Sequence, residues 1–369
     1  MTTDSPSVSG EPAGRRATRN AYGPGLGANY PFNHWWVVAA SHEVGRERLL
    51  GRRYLGLDIL LYRQQDGTVI GLEDRCVHRG LPLSMGRLEG DKIVCGYHGF
   101  CYSPQGECVR VPTQTQIPPK AAVRSFPVIE KPPFIWLWTG DAALADVDTA
   151  PYYPWLNDEA WVHALGHIHI NCNYMPLKEN VLDLTHFAYA HASSFEMDDD
   201  YAVPPQCSVD DGRVSFRQEF LGKALPPFYG DHCGLGQKRV DRYDEGTSFS
   251  PAEHVFTARI VNRNPAPGER NEYFVKFHHM TTPESPRSHH YWWVMARDHG
   301  LGPAAVEWMT RVITLGFDED KVILEAIQKR IDESPHPGAL PEVSVAADLP
   351  GLHARRQLQI LLDRESRGA

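Results

Sequence analysis

The sequence predicts an α+β protein of two unequal parts: an all-β domain, then a domain whose antiparallel sheet carries its helices on one side. Two observations lead there. From about residue 30 to 140, short strand-like runs alternate with Gly and Pro, and nothing repeats long enough to make a helix. From about residue 151, helical periodicity over 174–191, 317–331 and 352–367 brackets strand-like runs at 213–220, 254–262, 273–281 and 289–297. The expected division is a loose tail over 1–28, a first domain over 29–145 and a second over 146–369.

Each element follows in order. Residues 1–28 are rich in Ser, Gly, Pro and Arg and lack a periodic apolar pattern, so they cannot offset their own ordering entropy. Runs at 54–62 and 68–73 flank a Gln-Gln-Asp-Gly turn and read as a hairpin. Runs at 92–95, 108–111 and 134–138 read as further strands. The acidic stretch 196–200 reads as a solvated loop, and no internal repeat is visible.

Composition narrows the function. A chain of 369 residues with 42% hydrophobic and 22% charged residues has the balance of a soluble globular protein. A formal charge of −9 (37 Lys and Arg against 46 Asp and Glu) repels phosphate backbones and anionic lipid surfaces, so nucleic acid and membrane are not expected partners. Apolar runs fall far short of the roughly 20 residues that cross a bilayer, and no secretory apolar core opens the chain. A cytoplasmic location is expected.

Seven scattered cysteines do not make a disulfide framework. Cys101, Cys108, Cys172, Cys207 and Cys233 read as small buried hydrophobes. Cys76 and Cys95 differ. They open the segments Cys76-Val-His78-Arg-Gly and Cys95-Gly-Tyr-His98-Gly, with sixteen residues between His78 and Cys95. Two Cys and two His could close a zinc tetrahedron, but zinc sites of that composition pair like with like. Here each segment is mixed, which suits a two-iron cluster with both thiolates on one iron and both imidazoles on the other.

A second constellation lies about eighty residues further on. Asn180, Asp183, His186 and His191 fall in one helix-like segment. Asp183 and His186, three apart, share a face. His191 lies about 140° round from His186 on an ideal helix, so both imidazoles reach one metal only if the helix ends, tightens or bulges between Ala188 and His191. Two ordinary histidines at a helix end are the alternative. Two His need a carboxylate to complete the facial triad that binds non-haem iron. In the 317–331 helix, Asp320 shares a face with Ile323, Leu324, Ile327 and Ile331, whereas Asp318 falls with Lys321 and Glu325. Asp320 is therefore the expected ligand and Glu319 the runner-up.

The cluster segment CVHRGLPLSMGRLEGDKIVCGYHGF, with NVLDLTHFAYAHASSF, TTPESPRSHHYWW and DEDKVILEAIQ, resembles the oxygenase component of Rieske non-haem iron oxygenases over about residues 30–365. The likeness is closest to aromatic O-demethylases typified by the vanillate and dicamba enzymes. It implies a Rieske [2Fe–2S] domain followed by a helix-grip, START-like catalytic domain. It also implies Cys76, His78, Cys95 and His98 on the cluster, and His186, His191 and Asp320 on a mononuclear Fe(II). Asp183 would bridge, bonding His186 in its own chain and His98 across a subunit boundary, with Asn180 near the iron. The implied assembly is a head-to-tail homotrimer. Electrons would come from NAD(P)H through a separate flavin and iron–sulfur reductase, with or without a ferredoxin, since this chain carries no dinucleotide-binding fingerprint. With O2 as co-substrate, attack on a methoxy group gives a hemiacetal that collapses to a phenol and formaldehyde.

By the same resemblance, the strand bearing His290 and Trp292 lines the pocket for a small aromatic substrate, although aromatic core packing explains Trp292 equally well. Arg259, Lys276 and Arg297 are cations that would pair with a substrate anion or with surface carboxylates. N-demethylation, methyl hydroxylation and cis-dihydroxylation use the same ligands. A protein of another class, an electron carrier or a zinc-stabilised binding protein, would have no second metal site.

Overall fold

The structure, a computed structural model, describes residues 30–192, 194–197, 199–334 and 342–368. The expected tail over 1–28 lies outside the described residues.

The N-terminal part is built from three small antiparallel sheets. In the first, the buried strand Phe134–Trp138 lies between Trp35–Ala40 and Val128–Lys131. The second contains the expected hairpin, Leu57–Arg63 with Val69–Glu73. The run expected as one strand over 54–62 is instead two, because Leu55 and Gly56 both take positive φ and turn the chain between Leu50–Tyr54 and Leu57–Arg63. The third sheet, of four short strands from Arg87–Glu89 to Cys108–Arg110, stands on a separate small core. Leu60, Leu72, Ile93, Tyr102 and both Cys76 and Cys95 pack there. The cluster loops thus project from a compact apolar base.

The C-terminal part is one seven-stranded antiparallel sheet. Its order is Val162–Ile170, Ser288–Arg297, Glu272–Ser285, Glu253–Val261, Arg239–Ser250, Arg213–Ala224 and Gln206–Asp210. Strand pairing fixes its two faces. Tyr291 and Trp293 share a face with His279 and Phe277, then with His254 and Phe256, and further across with Asp244 and Arg242. Against this face lie the helices: α1 (Tyr174–Asn180), α2 (Phe187–Ala190), α3 (Pro227–Cys233), α4 (Pro303–Asp332) and α5 (Leu349–Gly368). Phe317 of α4 packs its ring 5.1 Å from that of Tyr291 and 5.8 Å from that of Trp293. The α+β arrangement predicted from the sequence is the one observed.

The opposite face packs on the N-terminal part. Thr282 Oγ1 donates to the carbonyl of Val37, and one continuous core runs through both parts.

Helix α4 starts fourteen residues earlier than the 317–331 periodicity indicates. Gly316 interrupts the pattern for a reason: a Cβ there would stand 2.5 Å from the Phe195 ring. The single helix expected over 174–191 is broken. It ends at Asn180, restarts as a 3-10 turn at Leu184–His186, and ends again at Ala190. Asp183 begins the new turn by accepting from Thr185 N (2.9 Å), a side-chain cap for an otherwise orphaned amide.

Candidate metal centre and cluster loops

The two Cys/His loops have matching backbones. Gly80 N donates to Cys76 O and Gly99 N to Cys95 O, while Cys76 N and Cys95 N donate to Leu81 O and Phe100 O. Gly80 and Gly99 both have positive φ, which glycine adopts without strain and which closes each loop on itself. Both sulfurs are buried and both imidazoles exposed, with ring centroids 4.5 Å apart. The Tyr102 hydroxyl lies 3.2 Å from Cys76 Sγ and accepts from Val77 N. These four residues do not form a group whose donor atoms converge on one point, as a tetrahedral zinc requires. Paired sulfurs inside and paired imidazoles outside match a two-iron cluster.

Among the described residues one such convergent group exists: His186, His191 and Asp320, with donor atoms all within 4.8 Å of one another. The broken helix makes this possible. His191 caps α2 with φ −113°, ψ 23°, so its ring leaves the helical path and comes within 5.1 Å of the His186 ring. The change of direction therefore falls where expected, between Ala188 and His191, with a second break at Val181–Asp183 that was not foreseen. Asp320 is 2% exposed on the inner face of α4, and Asp318 is exposed.

The second nitrogen of each imidazole is held. His186 Nδ1 bonds the main-chain carbonyl of Asp183, and His191 Nδ1 bonds Glu319 Oε2 at 2.8 Å. Those acceptors place the proton on Nδ1 and leave an Nε2 lone pair for the shared point, the outer support that metal-binding histidines require. Both Nε2 atoms face Asp320 Oδ1, at 3.7 and 3.3 Å. Ser194 Oγ fixes Glu319 by donating to Oε2 at 2.6 Å. Asn180 Nδ2 donates to Asp320 Oδ1 at 2.9 Å and lies 3.4 Å from His186 Nε2.

Burial is the largest influence on both imidazoles. It lowers the His186 pKa, but at His191 the adjacent Asp320 and Glu319 carboxylates outweigh it and raise the pKa. The buried Asp320 carboxylate and the half-buried Glu319 carboxylate beside the two imidazoles leave the site short of positive charge. A divalent cation supplies it, so the donor set fits iron.

Three expectations are corrected here. Glu319, the runner-up ligand, orients His191 instead. Within the chain, His186 Nδ1 bonds the backbone carbonyl of Asp183 and not its carboxylate, whose Oδ1 accepts from the Thr185 amide and hydroxyl. His290 and Trp292 lie on the far face of their strand, toward the N-terminal part: His290 Nδ1 meets His167 Nε2 at 3.1 Å and Trp292 Nε1 donates to Glu43. Successive strand residues point oppositely, so Tyr291 and Trp293 take the helix-covered side.

The cavity above the triad, about 30 Å³, is lined by Leu184, Phe187, Phe195, Phe228, His279 and Phe317 among others. That volume holds water, not a ring, so an aromatic ligand enters by displacing these side chains. Arg259, Lys276 and Arg297 do not line it. Arg259 pairs with Glu272, and Lys276 lies between Trp155 and Trp161. A buried cation that the sequence does not single out, Arg242, lines a smaller neighbouring cavity.

Fold and site together define the oxygenase component of a Rieske non-haem iron oxygenase. The Rieske [2Fe–2S] domain family matches residues 34–127, and the vanillate O-demethylase oxygenase C-terminal domain family matches 170–364. The chain is 34% identical over 346 residues to the iron–sulfur subunit of toluene-4-sulfonate monooxygenase from Comamonas testosteroni, covering 91% of this chain and 98% of that one. It is 31% identical to a vanillate O-demethylase oxygenase subunit from Pseudomonas sp., over 92% of this chain and 97% of the other. A crystal structure of dicamba monooxygenase bound to dicamba superposes with a TM-score of 0.80 at 29% identity, covering 92% and 99%. Another crystal structure of that enzyme holds non-haem iron. The chain belongs to the vanillate O-demethylase oxygenase family; it is an oxidoreductase whose cofactors are a Rieske cluster and a mononuclear iron. No helix among the described residues is long and apolar enough to cross a membrane.

Proposed function

We propose that this chain removes the methyl group from a small methoxylated aromatic acid, with electrons from NAD(P)H arriving through a separate reductase. The observation that carries the reading is the His186/His191/Asp320 triad at the floor of an aromatic-walled cavity. In this reading residues 29–145 form the cluster domain and 146–369 the catalytic domain. Cys76, His78, Cys95 and His98 would hold the cluster, and the triad would hold the iron. When bound, the iron supplies the reduction of O2 and the oxidation of a substrate C–H bond. The protein's part is positional. The Asp183 carbonyl and Glu319 keep both imidazoles in one tautomer, Asn180 steadies Asp320, and the phenyl walls exclude water. Relatives named for vanillate and dicamba O-demethylation support the outcome. A second reading, hydroxylation of an aryl methyl group, is favoured by the toluene-4-sulfonate relative.

A head-to-tail trimer is part of the proposal. Asp183 and His186 line the inner end of an open groove whose walls include Ile323, Ile327 and Val343, all exposed. The cluster tip presents exposed Met85 and Tyr97 beside His98. These apolar surfaces suit a second copy of this chain, its cluster facing the Asp183 side of the iron site.

The test is a screen of methoxybenzoates, vanillate and toluene-4-sulfonate with NADH and a surrogate reductase, following formaldehyde and hydroxylated product. Purified protein should contain about three irons and about two acid-labile sulfides per chain. Zinc at Cys76, or no second iron, would overturn the reading.

A further inference from the structure

Leu184, Phe187 and Tyr229 line not only the cavity above the triad but also a second, smaller one of about 10 Å³. Its far wall is polar, formed by Gln218, Arg242 and Asp244 beside Phe220 and Tyr201. Arg242 and Asp244, two apart on Arg239–Ser250, both point to the helix-covered face. Each is almost wholly buried, at 3% and 1% exposure. Arg242 Nη2 donates to Asp244 Oδ2 at 3.1 Å. Arg242 Nε and Nη1 and Asp244 Oδ1 have no partner among the described residues.

A buried guanidinium with two idle donors is costly, and folds keep such groups where something binds. The surroundings close off other partners. The guanidinium carbon lies 4.8, 4.4 and 4.5 Å from the rings of Tyr201, Phe220 and Tyr229. These rings hold the cation by their faces, and Asp244 fixes one end of the fork. The remaining donors are left beside the small cavity, which is about the size of one water. Leu184, Phe187 and Tyr229 are shared between this cavity and the one above the triad.

We propose that Arg242 determines specificity by receiving the acidic substituent, carboxylate or sulfonate, of an aromatic substrate whose oxidised methyl or methoxy group lies over the triad. The inference rests on the proposed oxidation of an aromatic acid and adds to it the residue that selects the acid. Ring and acid together span the two cavities once Phe187 and Leu184 swing aside. Two idle donors against one idle acceptor favour an oxyanion over a neutral group. A primary amide, which also offers a donor to Asp244 Oδ1, is the sharpest competitor.

The test is equilibrium binding to the purified, cluster- and iron-loaded oxygenase without reductant, read by calorimetry. The probes are 4-methoxybenzoate, toluene-4-sulfonate and the neutral 4-methoxybenzamide. Arg242→Met should weaken binding of either acid on the order of 100-fold and the amide less than about threefold, and Arg242→Lys should restore part of the acid affinity. In turnover, Arg242→Met should raise KM for the acid more than it lowers kcat. Unchanged acid affinity in Arg242→Met, or equal loss for acid and amide, overturns the assignment while leaving the oxygenase reading intact. Absence of acid binding by the wild-type chain overturns both. If Arg242→Met does not fold, Arg242→Lys alone decides, since it must discriminate less between acid and amide than the wild type does.

Discussion

The two metal-binding regions solve opposite problems. Each cluster loop is a five-residue turn closed by its own backbone, with sulfurs sunk into a small core and imidazoles exposed at the tip. The candidate iron site draws on segments about 130 residues apart; side chains hold His191 Nδ1 and Asp320, a main-chain carbonyl holds His186 Nδ1, and His191 and Asp320 are buried. In the proposed assembly one region presents its histidines to a second copy, while the other keeps its metal from water. The loops therefore depend on backbone closure and the iron site on packing and a polar network. The comparison predicts that damage at one site leaves the other intact.

The largest effect comes from removing a ligand. His186→Ala should lose the mononuclear iron and lower turnover by more than about 1,000-fold, with the Rieske spectrum unchanged. Cys76→Ser should do the reverse, abolishing the visible spectrum and electron uptake. Iron analysis with electron paramagnetic resonance separates the two. Loss of both centres in either variant would contradict their independence.

Next is Asp183, which lines the groove that the proposed trimer turns toward the cluster of a second copy. Asparagine keeps the Oδ1 acceptor that caps Thr185, so Asp183→Asn should fold normally and retain both metals. Only the charge facing the groove disappears. Turnover with reductase should fall about 100-fold, while single-electron reduction of the cluster is unaffected. Full activity would remove the carboxylate from the route between centres.

Smaller still is Glu319→Ala, which leaves His191 Nδ1 without its acceptor. Iron affinity should drop about 10- to 100-fold, measured by chelator competition, and Glu319→Gln, which keeps an acceptor oxygen, should lose less. Equal iron affinity in all three proteins would reassign Glu319 to packing alone.

The same contrast explains what could be read without coordinates. Cluster ligands announce themselves because a local loop puts its chemistry into local spacing. Asp320 was legible because one face of α4 is inward over that stretch, although Ile323 and Ile327 on its margin are exposed along the groove. The break at Val181–Asp183 was not, since Asp183 caps a new turn through a side-chain bond that competes with helix continuation. The resemblance puts the strand of His290 and Trp292 at the pocket, but HHYWW is buried on both faces, so no polar–apolar alternation marks which of its side chains face the helices. Arg242 was overlooked because burial of a cation is invisible in composition.

The smallest predicted effect concerns how the buried region is held. Lys178, 2% exposed on α1, donates through Nζ to the carbonyl of Ser250 at 2.9 Å and to that of Glu253, tying the helix that carries Asn180 to the sheet. Burial lowers its pKa to about 7, against 10.5 when unfolded. Between those values the unfolded chain holds one more proton, so stability rises with pH, by up to about 1.4 kcal/mol per unit. Below pH 7 both states are protonated and the penalty is constant. Lys178→Met lacks this titration. Denaturant unfolding at pH 7.0 and 8.5 should show the wild type gaining stability relative to the variant at the higher pH. The cluster loops, which contain no buried lysine, should report no corresponding change when cluster loss is followed by absorbance. Parallel pH profiles of wild type and variant would mean that the two carbonyls keep the ammonium charged and that the α1 anchor does not titrate.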